Sequence, residues 1–142
     1  MSALLTDLGE EWTMKFDLTG VTVDVGLYND STDSISDTSD LSDITSEPSD
    51  GNYSRQTGVA FSVSDEGGDW QFDNDSTISF DVTSTTGTVD SYFIVANFQA
   101  SDTGDGSPQD HVVVTGSLSQ SYDLSNLDTL DLNAGTVGFS LS

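Results

Sequence analysis

The chain has 142 residues, of which 25 are Asp or Glu and only two, Lys15 and Arg55, are Lys or Arg. The formal net charge of −23 opposes compaction in dilute salt, whereas in molar salt the Debye length falls to roughly 3 Å and the repulsion is screened. This charge balance excludes nucleic acid and anionic membranes as partners, because both require clustered basic residues.

The acidic composition has two interpretations. One is a protein adapted to near-saturated brine, in which carboxylates hold hydration water and keep the surface soluble. The other is intrinsic disorder, which is typical of chains with low hydrophobicity and high net charge. Alternating apolar residues over most of the chain favour a folded protein, with a single domain over residues 1–142.

Several classes of site and segment are excluded by what the sequence lacks. There is no Cys, so disulfides, thiolate metal sites and a Cys nucleophile are excluded. The first residues have neither the basic region nor the long apolar run of a signal peptide, and no stretch approaches the ~20 apolar residues that span a bilayer. We therefore expect a soluble protein that is made without secretion.

Residues 1–17 predict a short N-terminal α-helix. Leu4, Leu8 and Trp12 recur every four residues and would form one apolar stripe. The stripe would pack either on its own domain or on a neighbouring subunit, so these three residues are interface candidates.

Strand patterns follow one another from residue 21 onward. Residues 21–28 alternate strictly between apolar and other residues, which is typical of a half-buried strand. Residues 89–99 are apolar on both faces and predict a central strand. Further strands are predicted near 57–63, 70–72, 76–83, 111–118 and 137–141. Roughly eight strands with regular turns indicate an all-β fold, and we expect an antiparallel β-sandwich of the jelly-roll type.

Residues 29–54 interrupt this pattern as a long acidic loop. One helical turn is predicted near residues 41–44, and the loop has few residues to bury: Ile35, Leu41, Ile44 and Tyr53. A loop of this length in a compact domain is usually functional or mobile. It either wraps or projects toward a neighbour, or it is a plain solvated excursion.

Two groups of acidic residues could hold a cation. Ca²⁺ takes six to eight oxygen ligands, but neither group has the spacing of an EF-hand loop, and a hydrated surface or an Asp-Gly turn explains both. The groups are Asp33, Asp37, Asp40 and Asp43, and then Asp102, Asp105 and Asp110. We therefore predict no resident cofactor, although Ca²⁺, Mg²⁺ or monovalent cations could gather on the acidic surface.

No catalytic pattern is present in the sequence. His111 is the only His, and no Gly-x-Ser-x-Gly elbow accompanies it, so we expect it at a strand edge. A carboxylate pair near Trp12 or Trp70 could suit glycoside hydrolysis, but no spacing selects two acids, and core aromatic residues explain both Trp. We expect no enzyme.

Arg55 is the one Arg among many anions and will be paired. A salt bridge within the chain and a clamp between subunits both fit, so Arg55 is a further interface candidate.

The order of features resembles small structural proteins of tailed viruses. The residues that carry this resemblance are Val-Gly-Leu-Tyr-Asn-Asp at 25–30, Asp-Leu-Ser-Asp-Ile-Thr-Ser-Glu-Pro at 40–48, Gly-Asn-Tyr-Ser-Arg-Gln at 51–56 and Leu-Asp-Leu-Asn-Ala-Gly-Thr-Val-Gly-Phe-Ser-Leu at 130–141. In such proteins a strand of the first type precedes an acidic Glu-Pro segment, and the chain ends in Ala-Gly-Thr followed by a strand. The chain departs most from this pattern in its acidic loop.

The resemblance implies a virion component rather than an enzyme, with no catalytic residues to carry over. With the acidic surface, it implies a virus of a halophilic archaeon, assembled in the host cytoplasm. We expect a homo-oligomer on the capsid surface, a head decoration or turret protein, in contact with other virion proteins such as the major capsid protein. The alternatives are a tail or fibre component, a carbohydrate- or receptor-binding module and a secreted-type hydrolase.

Overall fold

A computed structural model of the protein describes residues 22–36, 38–98 and 109–141. Within these ranges the fold is all-β, as predicted, and helix is confined to a four-residue turn α1 (Asp30–Asp33) and two 3-10 turns (Leu41–Asp43 and Leu124–Asn126). The strands are β1 (Thr22–Tyr28), β2 (Phe61–Glu66), β3 (Asp69–Asn74), β4 (Ile78–Asp81), β5 (Thr88–Phe98), β6 (Gln109–Asp123), β7 (Thr129–Leu132) and β8 (Gly138–Leu141).

The predicted N-terminal helix, with its interface candidates Leu4, Leu8 and Trp12, lies outside the described residues. The same holds for Asp37, Asp102 and Asp105 among the candidate cation ligands. These predictions remain predictions.

The eight strands form three antiparallel sheets, with the orders β1-β5-β6, β2-β3-β8 and β4-β7. β5 is the central strand of the first sheet and is buried on both faces from Ser91 to Ala96, which confirms the predicted central strand over the described residues 89–98. Continuous apolar residues mark a strand of this kind, because neither of its faces meets water.

The main core lies on one face of the sheet β1-β5-β6, which we call the inner face. Alternation along β1 places Val23, Val25 and Leu27 on it, where they share one hydrophobic core with buried residues of β4 and β7. Each fully buried apolar side chain of this size contributes about 1.5–3 kcal/mol. The remaining buried members of this core are Ile78, Phe80, Val82, Val89, Tyr92, Ile94, Leu124, Leu130, Leu132 and Val137.

Two glycines in the first sheet make room for aromatic rings. A Cβ at Gly26 would overlap the ring of Phe93 on the outer face, and a Cβ at Gly116 would overlap the ring of Tyr92 on the inner face. The Tyr92 hydroxyl then donates to the carbonyl oxygen of Gly138 at 3.0 Å and accepts from its N–H at 3.2 Å. This hydrogen bonding ties the first sheet to β8 of the second.

Several strand boundaries differ from the sequence prediction, most clearly those of β2 and β6. Residues 57–60 lie outside β2, because Gln56 and Val59 form backbone hydrogen bonds with Val25 and Val23 along the free side of β1. β6 extends through residue 123, well past the predicted end at 118, because its polar end still pairs with the start of β5. Apolar alternation does not mark the polar end of β6, so periodicity could not reveal it.

Candidate functional site

Tyr53, near the end of the acidic loop, stacks on Phe80 of the main core. The first part of the loop, residues 29–36 and 38–46, forms a layer on the outer face of the sheet β1-β5-β6. Its Ile44 is buried against Tyr28, Phe93 and Val95 of the sheet. The remaining apolar contacts on this face come from Ile35, Leu41 and Val112. The predicted helical turn is present as the 3-10 turn Leu41–Asp43. The few apolar residues of the loop thus pack on its own domain rather than projecting away from it.

Carboxylates hold this layer in place by accepting hydrogen bonds from the backbone. Asp33 accepts from the N–H groups of Thr45 and Ser46 at 3.1 and 3.0 Å and from both of their hydroxyls at 2.6 Å. Asp40 and Asp43 form a reciprocal capping box around their 3-10 turn. These residues, predicted as a candidate cation stripe, therefore accept hydrogen bonds from the loop itself.

Asp90 anchors the start of the loop to β5. Its carboxylate accepts from the N–H of Asp30 at 2.7 Å and from the hydroxyl and N–H of Ser31 at 2.7 and 3.3 Å. Because Asp90 lies in β5, these hydrogen bonds fix the start of the loop against the sheet.

These contacts change the acidity of Asp33 and Asp90. Burial alone would raise the pKa of each carboxyl, but the hydrogen bonds that they accept outweigh burial and lower it. A carboxyl group whose pKa is lowered by folding stabilises the folded state in its ionised form.

We expect the free energy of unfolding to decrease at low pH, as the carboxylates of Asp33 and Asp90 become protonated. Their folded pKa values lie below the unfolded value of about 3.9, so the stabilisation is complete above that value and is lost as pH falls through the folded values. Chemical denaturation in 3 M KCl, where long-range repulsion is screened, would measure this slope. The variant Asp90→Asn should lower stability at pH 7 and flatten the slope, and Asp75→Asn, at an exposed position, controls for the loss of one carboxylate. Equal slopes in all three proteins would contradict this account.

Arg55 lies at the end of the acidic loop and forms a salt bridge within the chain. Its Nε and Nη2 donate to both oxygens of Glu47 at distances of 2.7–3.2 Å, and its guanidinium lies 5.1 Å from the ring centre of Phe93. Tyr53 donates to Glu47 at 3.0 Å and accepts from the N–H of Leu27 at 2.8 Å. We call Glu47, Tyr53 and Arg55 the clamp. It joins the end of the loop to β1 and β5.

The clamp also has a distinct electrostatic character. Burial, with the negative charge of Glu47 beside it, raises the pKa of Tyr53, and the hydrogen bonds to Glu47 raise the pKa of Arg55. The clamp thus keeps Arg55 charged and Tyr53 neutral at ordinary pH. Arg55 is thus paired with Glu47 of the same chain. A role of Arg55 between subunits stays a prediction.

We expect Arg55→Gln and Glu47→Gln each to destabilise the fold by about 1–2 kcal/mol, because each leaves partly buried polar partners without a charged counterpart. The side chains of Arg55 and Glu47 are 32% and 19% exposed, so solvent screening keeps the effect below that of a fully buried pair. A double-mutant cycle by denaturant unfolding should give a coupling of about 1 kcal/mol. Additive effects would contradict a direct interaction.

The other predicted site residues lie apart from one another. His111 is in β6, paired with Ala96, and its ring lies 5.8 Å from that of Phe98. Asp110 accepts from the amide of Asn97 at 2.9 Å. Trp70 is half-buried and packs beside Phe72 in a small apolar cluster. Trp12 lies outside the described residues, and a carboxylate pair near Trp12 or Trp70 stays a hypothesis.

The concavities of the described surface are shallow. One groove of about 280 Å³ lies between β6 and β7, with Tyr92, Leu118 and Tyr122 among its walls. Over residues 22–36, 38–98 and 109–141, no group of three or more His, Cys, Asp or Glu is placed to hold a metal ion. In the same residues, no helix has the length and apolar character needed to cross a membrane.

Sequence reasoning missed the outer edge of β6. In the described part of the chain, β6 pairs with β5 on one side and with no strand on the other. In the sequence of β6, no Asp or Glu lies between Asp110 and Asp123. The gap in acidic residues was visible in the sequence, but only the topology shows that it falls on an edge strand.

Comparison of the chain with protein-family models, with curated proteins and with solved structures found no match.

Proposed function

We propose that this protein is a structural virion component of a tailed virus of a halophilic archaeon, placed on the capsid surface as a decoration or turret protein. The proposal starts from the resemblance of residues 25–30, 40–48, 51–56 and 130–141 to small virion proteins. It includes assembly with further copies of the chain and contact with other virion proteins such as the major capsid protein.

The observation that carries the proposal is that carboxylates hold the acidic loop in place by accepting hydrogen bonds. Asp33, Asp40, Asp43 and Asp90 stabilise a surface layer by accepting hydrogen bonds, and the clamp fixes the end of that layer. A layer held in this way suits a static part that must keep its shape in concentrated salt. Trp70 packs in the cluster of Phe72, and this contact adds no support for the carbohydrate-binding alternative.

The proposal extends to the overall architecture, a jelly-roll-like β-sandwich. Its support is that buried residues of β1, β4, β5 and β7 share the main core, as expected where two sheets pack face to face. An experimental structure would test the sandwich directly.

Mass spectrometry and immunogold labelling of purified particles from an infected haloarchaeal culture would test the function. We expect the protein at many copies per particle, with label on the head. Label on the tail would favour the tail or fibre alternative. Absence of the protein from the particles would refute the proposal.

Sedimentation across a KCl series would test the assembly. Since each subunit carries a charge of −23, we expect oligomers in molar salt that dissociate on dilution. A sedimentation coefficient that is unchanged by salt would count against this expectation.

A further inference from the structure

We propose that the predicted N-terminal helix, residues 1–17, packs on the apolar face of the sheet β2-β3-β8 in its own chain. Leu4, Leu8 and Trp12 would then belong to the core of one subunit rather than to a contact between subunits. Because this packing concerns a single subunit, it stands or falls separately from the proposed virion function.

The sheet β2-β3-β8 has one apolar face and one polar face. Its register pairs Phe72 with Val63 of β2 and with Phe139 of β8, so these three side chains lie on one face. Phe61 and Trp70 lie on the same face, two residues along their strands from Val63 and Phe72. A sheet that is apolar on one face must bury that face against another element. The opposite face carries Ser62, Ser64, Gln71, Asp73 and Ser140.

The main core meets this apolar face at one end. Phe61 packs on both the main core and Phe72, whereas Val63, Trp70 and Phe139 pack on Phe72 alone of these two clusters. These last three residues are half-buried, yet Phe72 between them is fully buried. Stacking within the sheet, such as that of Phe61 on Phe72 at 4.7 Å, shields the sides of a ring but not its outer edge. The far end of the face therefore requires an apolar element beyond the members of these two clusters.

The path of the chain brings the N-terminal segment to this face. The N–H of Val59 donates to the carbonyl oxygen of Val23 at 2.9 Å, so the start of β1 lies beside the residues that lead into β2. The stretch from residue 17 to Thr22 spans at most about 18 Å. The predicted helix must therefore end on the side of the molecule where β2 begins.

The predicted helix matches the face in length and in polarity. A helix over residues 1–17 extends about 26 Å, and the six residues of β2 or of β3 extend about 20 Å. Leu4, Leu8 and Trp12 recur every four residues, so one side of the helix would meet the face. Glu10 would lie on the other side of the helix, in water.

The same chain is the occupant that these observations favour. Because the segment is tethered beside β2, its effective concentration at the face is high. A helix supplied by a second copy would instead bring together two subunits that each carry a charge of −23. Packing within the chain meets no repulsion of that kind.

Cross-linking between introduced Cys residues tests the location, since the chain has no Cys of its own. Leu8→Cys is combined with Val63→Cys on the apolar face and, as the control, with Ser62→Cys on the polar face of the same strand. In 3 M KCl, a short bismaleimide should join residues 8 and 63 in a product of monomer mass. It should leave residues 8 and 62 unjoined, because the sheet lies between them.

The pair Leu4→Cys with Val63→Cys repeats this test with Leu8 intact. Absence of a cross-link to residue 63 from both position 4 and position 8 would overturn the proposal. Equal yields for residues 62 and 63 would also overturn it, since the helix would then have no preference for the apolar face. A product of dimer mass would make a second copy the source of the helix and would contradict packing within the chain.

The fluorescence of Trp70 tests the cover itself. In the background Trp12→Phe, Trp70 is the one remaining Trp of the chain. Leu8→Asp places a charge on the apolar stripe, and we expect it to raise the acrylamide quenching constant of Trp70 and to shift its emission to the red. Met14→Asp adds the same charge two residues from position 12, on the opposite side of the predicted helix, and should change neither. Equal quenching in both variants would overturn the proposal.

Hydrogen exchange separates loss of the cover from loss of the fold. In Leu8→Asp, the amides of β5 should keep their protection while the amides of β2 and β3 lose part of theirs. If Leu8→Asp unfolds the whole domain, the milder variant Leu8→Ala decides, since it should still raise the quenching of Trp70 above that of Met14→Ala. No such difference would overturn the proposal.

Discussion

Replacing Asn74 should destabilise the protein strongly, with Asn74→Ala lowering the free energy of unfolding by about 3 kcal/mol or more. Asn74 ends β3 and is only 2% exposed. Its amide nitrogen donates to the carbonyl oxygens of Ser76 and Asn133 at 2.8 and 3.0 Å. Its side-chain oxygen accepts from the N–H groups of Thr136 and Val137 at 3.1 and 3.0 Å. Truncation would leave buried donors and acceptors without partners.

The backbone of Asn74 strengthens this argument. Its N–H donates to Val137 at 3.1 Å, and its carbonyl oxygen accepts from Gly135 at 2.9 Å. The side chain therefore completes the junction between the end of β3 and the turn that leads into β8. Loss of the junction should loosen β8, and with it the hydrogen bonds between Tyr92 and Gly138.

The variant Asn74→Asp distinguishes hydrogen bonding from packing. It keeps the shape of the side chain but sets a carboxylate oxygen against two carbonyl oxygens. The pKa of the introduced carboxyl should be raised in the folded state, so its penalty should be largest at neutral pH and should diminish as pH falls through that pKa. Denaturant unfolding at pH 7 and pH 5 would measure this, with exposed Asn126→Ala as the control. Equal losses for Asn74→Ala and Asn126→Ala would contradict the role of Asn74.

The strands that sequence reasoning placed well are those with local patterns. β1 alternates in polarity along its length, and β5 is apolar on both faces, so each carries its own evidence of burial. The polar end of β6 carries none, because its pairing with β5 depends on the partner strand. How the strands divide among three sheets depends on contacts between distant residues, which no single segment encodes.

The structure of the acidic loop at the candidate site could likewise be predicted only in part from the sequence. The sequence showed that it had few residues to bury, and the structure places Ile35, Leu41 and Ile44 on the outer face of the sheet. Composition could not separate Asp33, which holds Thr45 and Ser46, from acidic neighbours with other surroundings. Asn74 and Asp75 are likewise adjacent polar residues in the sequence, although one side chain is buried and the other exposed. In both cases the partner that gives a polar residue its role is distant in sequence.

The salt concentration should change the free energy of unfolding as strongly as the replacement of Asn74 does. We expect the free energy of unfolding to rise by several kcal/mol between roughly 0.1 and 1 M KCl, as the Debye length falls from about 10 Å to about 3 Å. The reason is the net charge of −23, whose self-repulsion is greater in the compact state than in the extended chain. Short hydrogen bonds such as those of Asp33 and Asp90 are little screened, so they act at every salt concentration.

The shape of the salt dependence identifies its cause. Screening alone predicts a plateau above about 1 M and equal curves for NaCl and KCl, because the Debye length depends only on ionic strength. The triple variant Asp69→Asn, Asp75→Asn and Asp128→Asn removes three charges from exposed positions and should need less salt to reach the same plateau. In contrast, Asp33→Asn should lower the plateau itself, because it removes hydrogen bonds rather than repulsion. A curve that still rises between 1 and 4 M, or that differs between Na⁺ and K⁺, would contradict screening and indicate cations bound at the acidic surface.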